Sequence, residues 1–175
     1  GIDVVSLSAG EPDFTTPESI CHAAKQAIDA GHTHYTAVHG TLALRQAIAN
    51  KFNRDNGIGY DPENIVVSNG AKQSIFNALA TIINPGDEVI VPVPYWVSYP
   101  EMVKMNDGTP VLCRAASGRK PLADDLAKVI TPKTKLLMLN SPNNPGGYTY
   151  KRDELEAIGA LLRKHPHIYV LSDDI

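Results

Sequence analysis

The hydrophobic and polar positions of this chain follow two periodicities that alternate along most of its length. From about residue 63 onward, short apolar runs alternate with segments in which apolar residues recur every three or four positions. The apolar runs predict strands at 65–67, 89–93, 110–113, 136–139 and 168–171. The amphipathic segments predict helices at 71–83, 98–105, 121–130 and 152–164. Strands alternating with helices predict an α/β fold, a mostly parallel sheet with helices on both faces.

The first third of the chain shows the helical period alone. Residues 16–30 and 41–55 each carry one apolar stripe and predict two helices. Pro17 suits the first turn of the first helix, and Gly31 suits its end. Later in the chain, Ser98 and Glu101 have the spacing of a capping box, with Pro100 in the same first turn.

Composition and charge exclude several classes of protein. The 175 residues have a net charge of −3, which gives no basic footprint for nucleic acid. No stretch of about 18 apolar residues predicts a membrane span, and the first residues do not resemble a signal peptide. Cys21 and Cys113 have no metal spacing, and we interpret them as reduced thiols of a cytoplasmic protein. Both ends look cut, and we expect a longer protein.

Polar residues cluster where predicted strands end, which is where open α/β sheets bind ligands. The stretch NSPNNPGG follows one strand, and its X-Pro bonds restrict Ser141 and Asn144 to extended or turn geometry. Trp96, the lone tryptophan, follows another strand, and Asp173 ends the last one. Each has a simpler interpretation, namely turn chemistry for the asparagines, core packing for the tryptophan and a helix cap for the aspartate.

The stretch SNGAKQS at 68–74 joins a strand to a helix through Gly70. A helix N-terminus presents free N–H groups and the positive end of its dipole, which suits a phosphate. An ordinary strand-to-helix turn explains this stretch equally well, since it is neither a Walker A motif nor GxGxxG. The two H-x-H pairs, at 32–34 and 165–167, lack a third ligand nearby, and we predict no metal site.

Taken in order, these motifs resemble the fold-type I aminotransferases that use pyridoxal 5′-phosphate (PLP), and most closely the bacterial aspartate aminotransferases. The matching stretches are SAGEPDF, the Y-T-x-V-x-G loop at 35–40, NGAKQSIFNAL, NPGDEVIVPVPYWVSYPEMV, ITPKTKLLMLNSPNNP and KHPHIYVLSDDI. The resemblance implies a three-layer α/β/α fold and an N-terminal part of a longer chain. Residues 1–15 would be an N-terminal segment, from a small domain or a substrate-side arm. Residues 16–175 would be the first part of the PLP-binding large domain, incomplete at its C-terminus.

The resemblance also implies roles for single residues. Asn144 would bond the phenolic oxygen of PLP, Trp96 would stack on its ring, and Asp173 would bind its ring nitrogen. Trp96 and Asn144 would also contact the substrate. The turn of Gly70, Ala71 and Lys72 would bind the phosphate.

Two further roles fall on the N-terminal third of the chain. Tyr35 would reach the phosphate in the partner subunit of a homodimer, and Gly10 would contact the substrate carboxylate. The chain departs from the usual pattern at Ala37, His39 and Gly146. The Schiff-base lysine would lie beyond Ile175, together with the arginine that grips the substrate carboxylate, so no catalytic residue is assigned here.

The predicted function is therefore transfer of an amino group between an amino acid, with aspartate foremost, and a 2-oxo acid, with 2-oxoglutarate foremost. Prephenate and aromatic substrates are close alternatives. Another PLP reaction on the same scaffold, such as that of a C–S lyase, is a second hypothesis. An aminotransferase-like sensor domain of a transcription regulator is a third. A dinucleotide-binding domain without PLP fits poorly, because GxGxxG is missing.

Overall fold

The structure is a computed structural model that describes residues 10–116 and 118–174. The chain divides into two compact units, one up to Pro62 and one from Glu63 onward. The predicted boundary between residues 15 and 16 stays a prediction, because most of the predicted N-terminal segment lies outside the described residues.

The first unit contains two helices, α1 (Glu18–Asp29) and α2 (Leu42–Lys51), as the stripes predict. Gly31 has a φ of 77° just after α1, the left-handed conformation that glycine adopts at helix ends. A single π turn, Phe52–Asn56, extends α2 over the rest of the predicted range. The side chain of Arg45 in α2 is buried and donates to the carbonyl oxygens of Gly40 (3.2 Å) and Pro62 (2.7 Å).

The second unit is an α/β sheet domain, which confirms the predicted fold class. Its strands are β1 (Glu88–Pro92), β2 (Thr109–Cys113), β3 (Thr134–Asn140) and β4 (Tyr169–Asp173). Its helices are α3 (Ala71–Ile82), α4 (Ser98–Met105), α5 (Ala123–Ala127) and α6 (Arg152–Leu162). The strands lie in the order β2-β1-β3-β4, and every pairing is parallel.

Both faces of the sheet are covered, so β1 and β3 are buried almost throughout. One face packs α3 and α4 against alternate strand residues, and its core contains Leu79, Val89, Val103, Leu136 and Met138. The opposite face packs α5 and α6, and its core contains Ile90, Cys113, Leu126, Leu137 and Ile158. This explains why the runs EVIVPV and KLLML carry no polar alternation. The described residues form the predicted three layers.

Two local predictions are wrong. Residues 65–67 form no ladder, because no described strand lies beside them, although Ile65 is buried. The capping box at α4 does not form either. The helix already begins at Ser98, after Val97 at the N-cap, and no side chain caps it. Glu101 instead accepts a bond of 2.8 Å from Lys104, one turn along the same helix.

Candidate functional site

Three of the predicted ligand-binding residues lie at the carboxyl edge of the sheet. Trp96 follows the end of β1, Asn144 follows the end of β3, and Asp173 is the last residue of β4. Because the three strands are parallel and adjacent, their carboxyl ends meet at one edge. The loops that leave this edge therefore determine which side chains face one another.

Tyr99 joins the tryptophan to the aspartate. Its hydroxyl donates a short hydrogen bond to Oδ2 of Asp173, and its ring meets Trp96 edge-to-face with centroids 5.5 Å apart. Tyr99 itself is 3% exposed and belongs to the core between α4 and the sheet. Both predicted ring-binding residues are thus fixed to one buried tyrosine.

The carboxylate of Asp173 is half-buried, and no described residue forms an ion pair with it. Tyr99 donates to Oδ2, while no donor among residues 10–116 and 118–174 reaches Oδ1. Burial, and then the hydrogen bond to Asp173, raise the pKa of Tyr99 well above its ordinary value, so the phenol remains a neutral donor. A half-buried carboxylate without a countercharge favours a cationic ligand.

The N-terminus of α3 lies beside Trp96. Gly70 precedes the helix with a φ of 82°, and no side chain caps the helix. The Gly70 carbonyl accepts from the N–H groups of Gln73 and Ser74, whereas those of Ala71 and Lys72 donate to no described residue. The ammonium of Lys72 lies 5.0 Å from the centroid of the Trp96 ring. Free N–H groups and a positive charge are what an anion requires.

The turn after β3 is built by two buried asparagines. Nδ2 of Asn140 donates to the carbonyl oxygen of Asp173 (2.9 Å), and its Oδ1 accepts from the N–H of Asn144 (2.7 Å). Asn143 donates through Nδ2 to the carbonyl oxygen of Pro94 (3.2 Å). The side chain of Asn144 is exposed and bonds to no described residue. Its backbone is therefore fixed while its amide is available to a ligand.

The structure thus brings together the predicted residues of the second unit. Lys72 contacts Trp96, Trp96 contacts Tyr99, and Tyr99 bonds to Asp173. Asn140 continues this chain of contacts from Asp173 to Asn144. Gly70 and Ala71 join it through the helix that carries Lys72.

Tyr35 and Gly10 belong to the first unit, and their roles stay predictions. The Tyr35 side chain is fully exposed, as is Val38 in the same loop. Among the described residues, no three His, Cys, Asp or Glu side chains could together hold a metal ion. The described helices are all too short or too polar to cross a membrane.

Sequence reasoning missed Tyr99, Asn140 and Asn143. The signal for Tyr99 was its position three residues after Trp96, which puts both rings on one side of a helix start. The two buried asparagines could have been found from the composition of the turn. It contains three asparagines, and a single ligand-binding amide would account for only one of them. Each of the three acts through residues that are remote in sequence, which local patterns do not reveal.

The chain has many relatives of known class. A profile of the family described as aminotransferase class I and II matches residues 2–175. A probable aspartate/prephenate aminotransferase of Rickettsia bellii is 53% identical over all of this chain and 44% of its own length. The aspartate/prephenate aminotransferase of Cereibacter sphaeroides is 51% identical with the same coverage. The chain thus spans less than half the length of these relatives.

The solved structures that resemble this chain belong to the same class of enzyme as these relatives. An aspartate aminotransferase of Thermus thermophilus with maleate has a TM-score of 0.94 and 46% identity over 99% of this chain and 46% of its own. The aspartate aminotransferase of Rhizobium meliloti has a TM-score of 0.92 and 47% identity over 95% of this chain and 42% of its own. The resemblance inferred from the motifs is confirmed: the chain belongs to the aminotransferase class I and II family.

Proposed function

We propose that the whole protein is a PLP-dependent aminotransferase, and that this chain supplies the cofactor-binding side of its active site. The observation that carries the proposal is the unbroken set of contacts from Lys72 through Trp96, Tyr99 and Asp173 to Asn144. Residues from four different segments converge on one edge of the sheet. Such convergence is typical of a ligand site and is not needed for packing alone.

The chemistry of these groups fits PLP. The uncompensated carboxylate of Asp173 suits a protonated ring nitrogen, and the free N–H groups of Ala71 and Lys72 suit a phosphate. The half-buried ring of Trp96 suits stacking on a flat heterocycle, and the unpaired amide of Asn144 suits a phenolic oxygen. When bound, PLP supplies an electron sink for the electrons released at the substrate Cα.

The chain's own residues would hold that group in place. Asp173 would stabilise the cationic form of the ring nitrogen, because a nearby negative charge favours the protonated state. Tyr99 would keep the carboxylate in one orientation through the bond to Oδ2, leaving Oδ1 for the ligand. Trp96 would cover one face of the ring and exclude water from it, and Asn144 would fix its rotation.

Aspartate and 2-oxoglutarate are the proposed substrates. The proposal draws on relatives named aspartate/prephenate aminotransferase, and on the related structure described with maleate, a dicarboxylate. The same names make prephenate the next amino acceptor to test. Gly10 would contact the substrate carboxylate through its backbone.

We further propose that the active unit is a homodimer and that the protein is cytoplasmic. The dimer proposal rests on Tyr35, whose exposed ring is available to a second subunit. The partners are then amino-acid and 2-oxo-acid substrates and a second copy of the chain, with no nucleic acid and no membrane.

The test uses the full-length protein loaded with PLP. We expect the visible absorbance of bound PLP, and exchange of an amino group from aspartate to 2-oxoglutarate with release of oxaloacetate. An Asn144→Ala variant should lose affinity for PLP, while the matched change at the exposed Asn53 should not. Release of a thiol from a thioether amino acid, without amino exchange, would instead indicate a C–S lyase. A protein that binds no PLP would contradict the proposal.

A further inference from the structure

We infer that Asn143 is a positioning residue: it clamps the loop that carries Trp96 to the turn that carries Asn144, and so sets the width of the cofactor site. The inference rests on the proposed function, since Trp96 and Asn144 are both proposed to bind PLP. Asn143 itself does not contact the ligand in this proposal, because its side chain is only 7% exposed and its polar atoms are hydrogen-bonded within the protein.

The side chain of Asn143 makes three hydrogen bonds, two of them near its own turn and one to another loop. Nδ2 donates to the carbonyl oxygen of Pro94, two residues before Trp96, and more weakly to Oδ1 of Asn140 (3.4 Å). Oδ1 accepts from the N–H of Gly146 (2.9 Å). One planar amide thus links the loop after β1, the end of β3 and the turn beyond Asn144.

The backbone of Asn143 reinforces the clamp. Its N–H donates to the carbonyl oxygen of Tyr148 (2.8 Å), and its carbonyl oxygen accepts from the N–H of Gly147 (2.7 Å). These bonds close the turn on itself, whereas the bond to Pro94 is the only one of the five that crosses to another loop. The side chain therefore couples two segments that are 49 positions apart.

The clamp leaves little room for a side chain at residue 146. A Cβ at Gly146 would lie 2.6 Å from Oδ1 of Asn143, and 3.0 Å from both Pro94 Cγ and Tyr148 Cδ1. The first distance is far below van der Waals contact. The absence of a side chain at residue 146 thus lets the turn close onto Asn143.

The consequence for binding is geometric. A flat cofactor between Trp96 and Asn144 requires a fixed separation of the two loops, and ligand-binding constellations tolerate only about 0.5 Å of error. Without the clamp, Trp96 would stay packed against Tyr99 and Asn140 would still hold the N–H of Asn144, but the turn would lose its hydrogen bond to the loop that carries Trp96. Removing Asn143 would also leave the buried polar groups that it bonds without their partner, a loss that corresponds to about tenfold weaker binding where those groups support the site.

The experiment compares Asn143→Ala, Gly146→Ala and the double variant in the full-length protein, with Asn53→Ala as the exposed control. PLP affinity is measured by titration of the apoprotein. The orientation of bound PLP is followed by the visible circular dichroism of the cofactor, which depends on fixed asymmetric surroundings of its ring, with a Trp96→Phe protein as the reference for lost stacking. Thermal unfolding of the apoproteins reports the purely structural effect.

We expect each single variant to bind PLP about ten times more weakly or worse, and to show a weaker visible circular dichroism of the bound cofactor. Gly146→Ala should cost less in the Asn143→Ala background than alone, because the contact with Oδ1 is gone. If Asn143→Ala does not fold, Gly146→Ala decides by the same two readouts. A folded variant with a lower unfolding temperature but unchanged affinity and unchanged visible circular dichroism overturns the positioning role. A wild-type protein that binds no PLP overturns the proposed function itself.

Discussion

The hydroxyl of Tyr99 donates a hydrogen bond to Oδ2 of Asp173 across 74 positions of the chain. The bond joins the first turn of α4 to the last residue of β4, and it lies at the edge where the predicted site residues meet. Oδ2 of Asp173 thus accepts a hydrogen bond, while Oδ1 accepts none from the described residues. A carboxylate held in this way is oriented before any ligand arrives, which reduces the cost of binding.

Replacing Tyr99 by Phe should remove this bond and leave the edge-to-face contact with Trp96 in place. Hydrogen bonds to charged groups contribute about 1.5–3 kcal/mol, so we expect roughly tenfold or greater loss of PLP affinity. Equilibrium titration of the apoprotein measures this loss. Tyr169→Phe is the matched control, because Tyr169 lies on the same strand as Asp173 and is 54% exposed. Equal affinities for both variants would contradict the orienting role of Tyr99.

Replacing Asp173 by Ala or Asn should remove the charge that we propose for the ring nitrogen. We expect amino transfer to fall by at least about 10²- to 10³-fold, the effect typical of losing one charge-stabilising group at an active site. Stopped-flow measurement of the half-reaction with aspartate separates this effect from weaker substrate binding. An Asp173→Ala protein of near-normal activity would refute the assigned role.

Replacing Tyr35 by Phe should weaken retention of PLP without unfolding the protein. The exposed Tyr35 is predicted to act in the partner subunit's site, and its hydroxyl contributes nothing to packing within its own described unit. Dialysis against PLP-free buffer, followed by absorbance, measures retention, while circular dichroism checks the fold. Sedimentation that shows a fully active monomer would rule out the shared site.

Cys113 should resist alkylation in the folded protein. Burial, followed by the charge of Asp125, raises the pKa of this thiol from 9.0 to about 11. At pH 8 its thiolate fraction should be roughly a hundredfold lower than that of an ordinary cysteine, in addition to steric protection. Mass spectrometry after brief iodoacetamide treatment should find Cys113 unmodified until the protein is denatured.

The same shift has a consequence for stability. The folded state holds the Cys113 proton more tightly than the unfolded chain, so this contribution is complete below about pH 9 and is lost as the pH rises towards 11. Cys113→Ala should therefore reduce the fall in unfolding free energy across this range. An unchanged pH profile, measured by urea unfolding at each pH, would show that the shift is absent.

Four of the five predicted strands and the six predicted α-helices form in the part of the chain that the structure describes, because their burial patterns are local. The apolar runs EVIVP and KLLML are covered by helices on both faces, and such runs predict strands without knowledge of the neighbouring strands. The segment at 65–67 has an equally apolar pattern, yet it forms no ladder. A strand is defined by its neighbour, and no described strand lies beside this one.

The site residues also fall into two groups, those that a local pattern reveals and those that only long-range contacts reveal. Trp96, Asn144 and Asp173 were found because they stand out against the ends of apolar strands. Tyr99, Asn140 and Asn143 look like ordinary turn and helix residues, and they acquire their roles from bonds to Asp173 and Pro94, which are 33 to 74 positions away. Long-range bonds of this kind depend on strand order, and strand order has no local signature.

Titration of aspartate into the full-length protein loaded with PLP tests the proposed function most directly. We expect the visible absorbance of bound PLP to fade as aspartate is added and to return when 2-oxoglutarate is supplied. An Asp173→Asn protein should show neither change on the same timescale. A cofactor that stays unchanged with aspartate and with every other amino acid, or a wild-type protein that binds no PLP, would show that the protein is not a PLP-dependent aminotransferase.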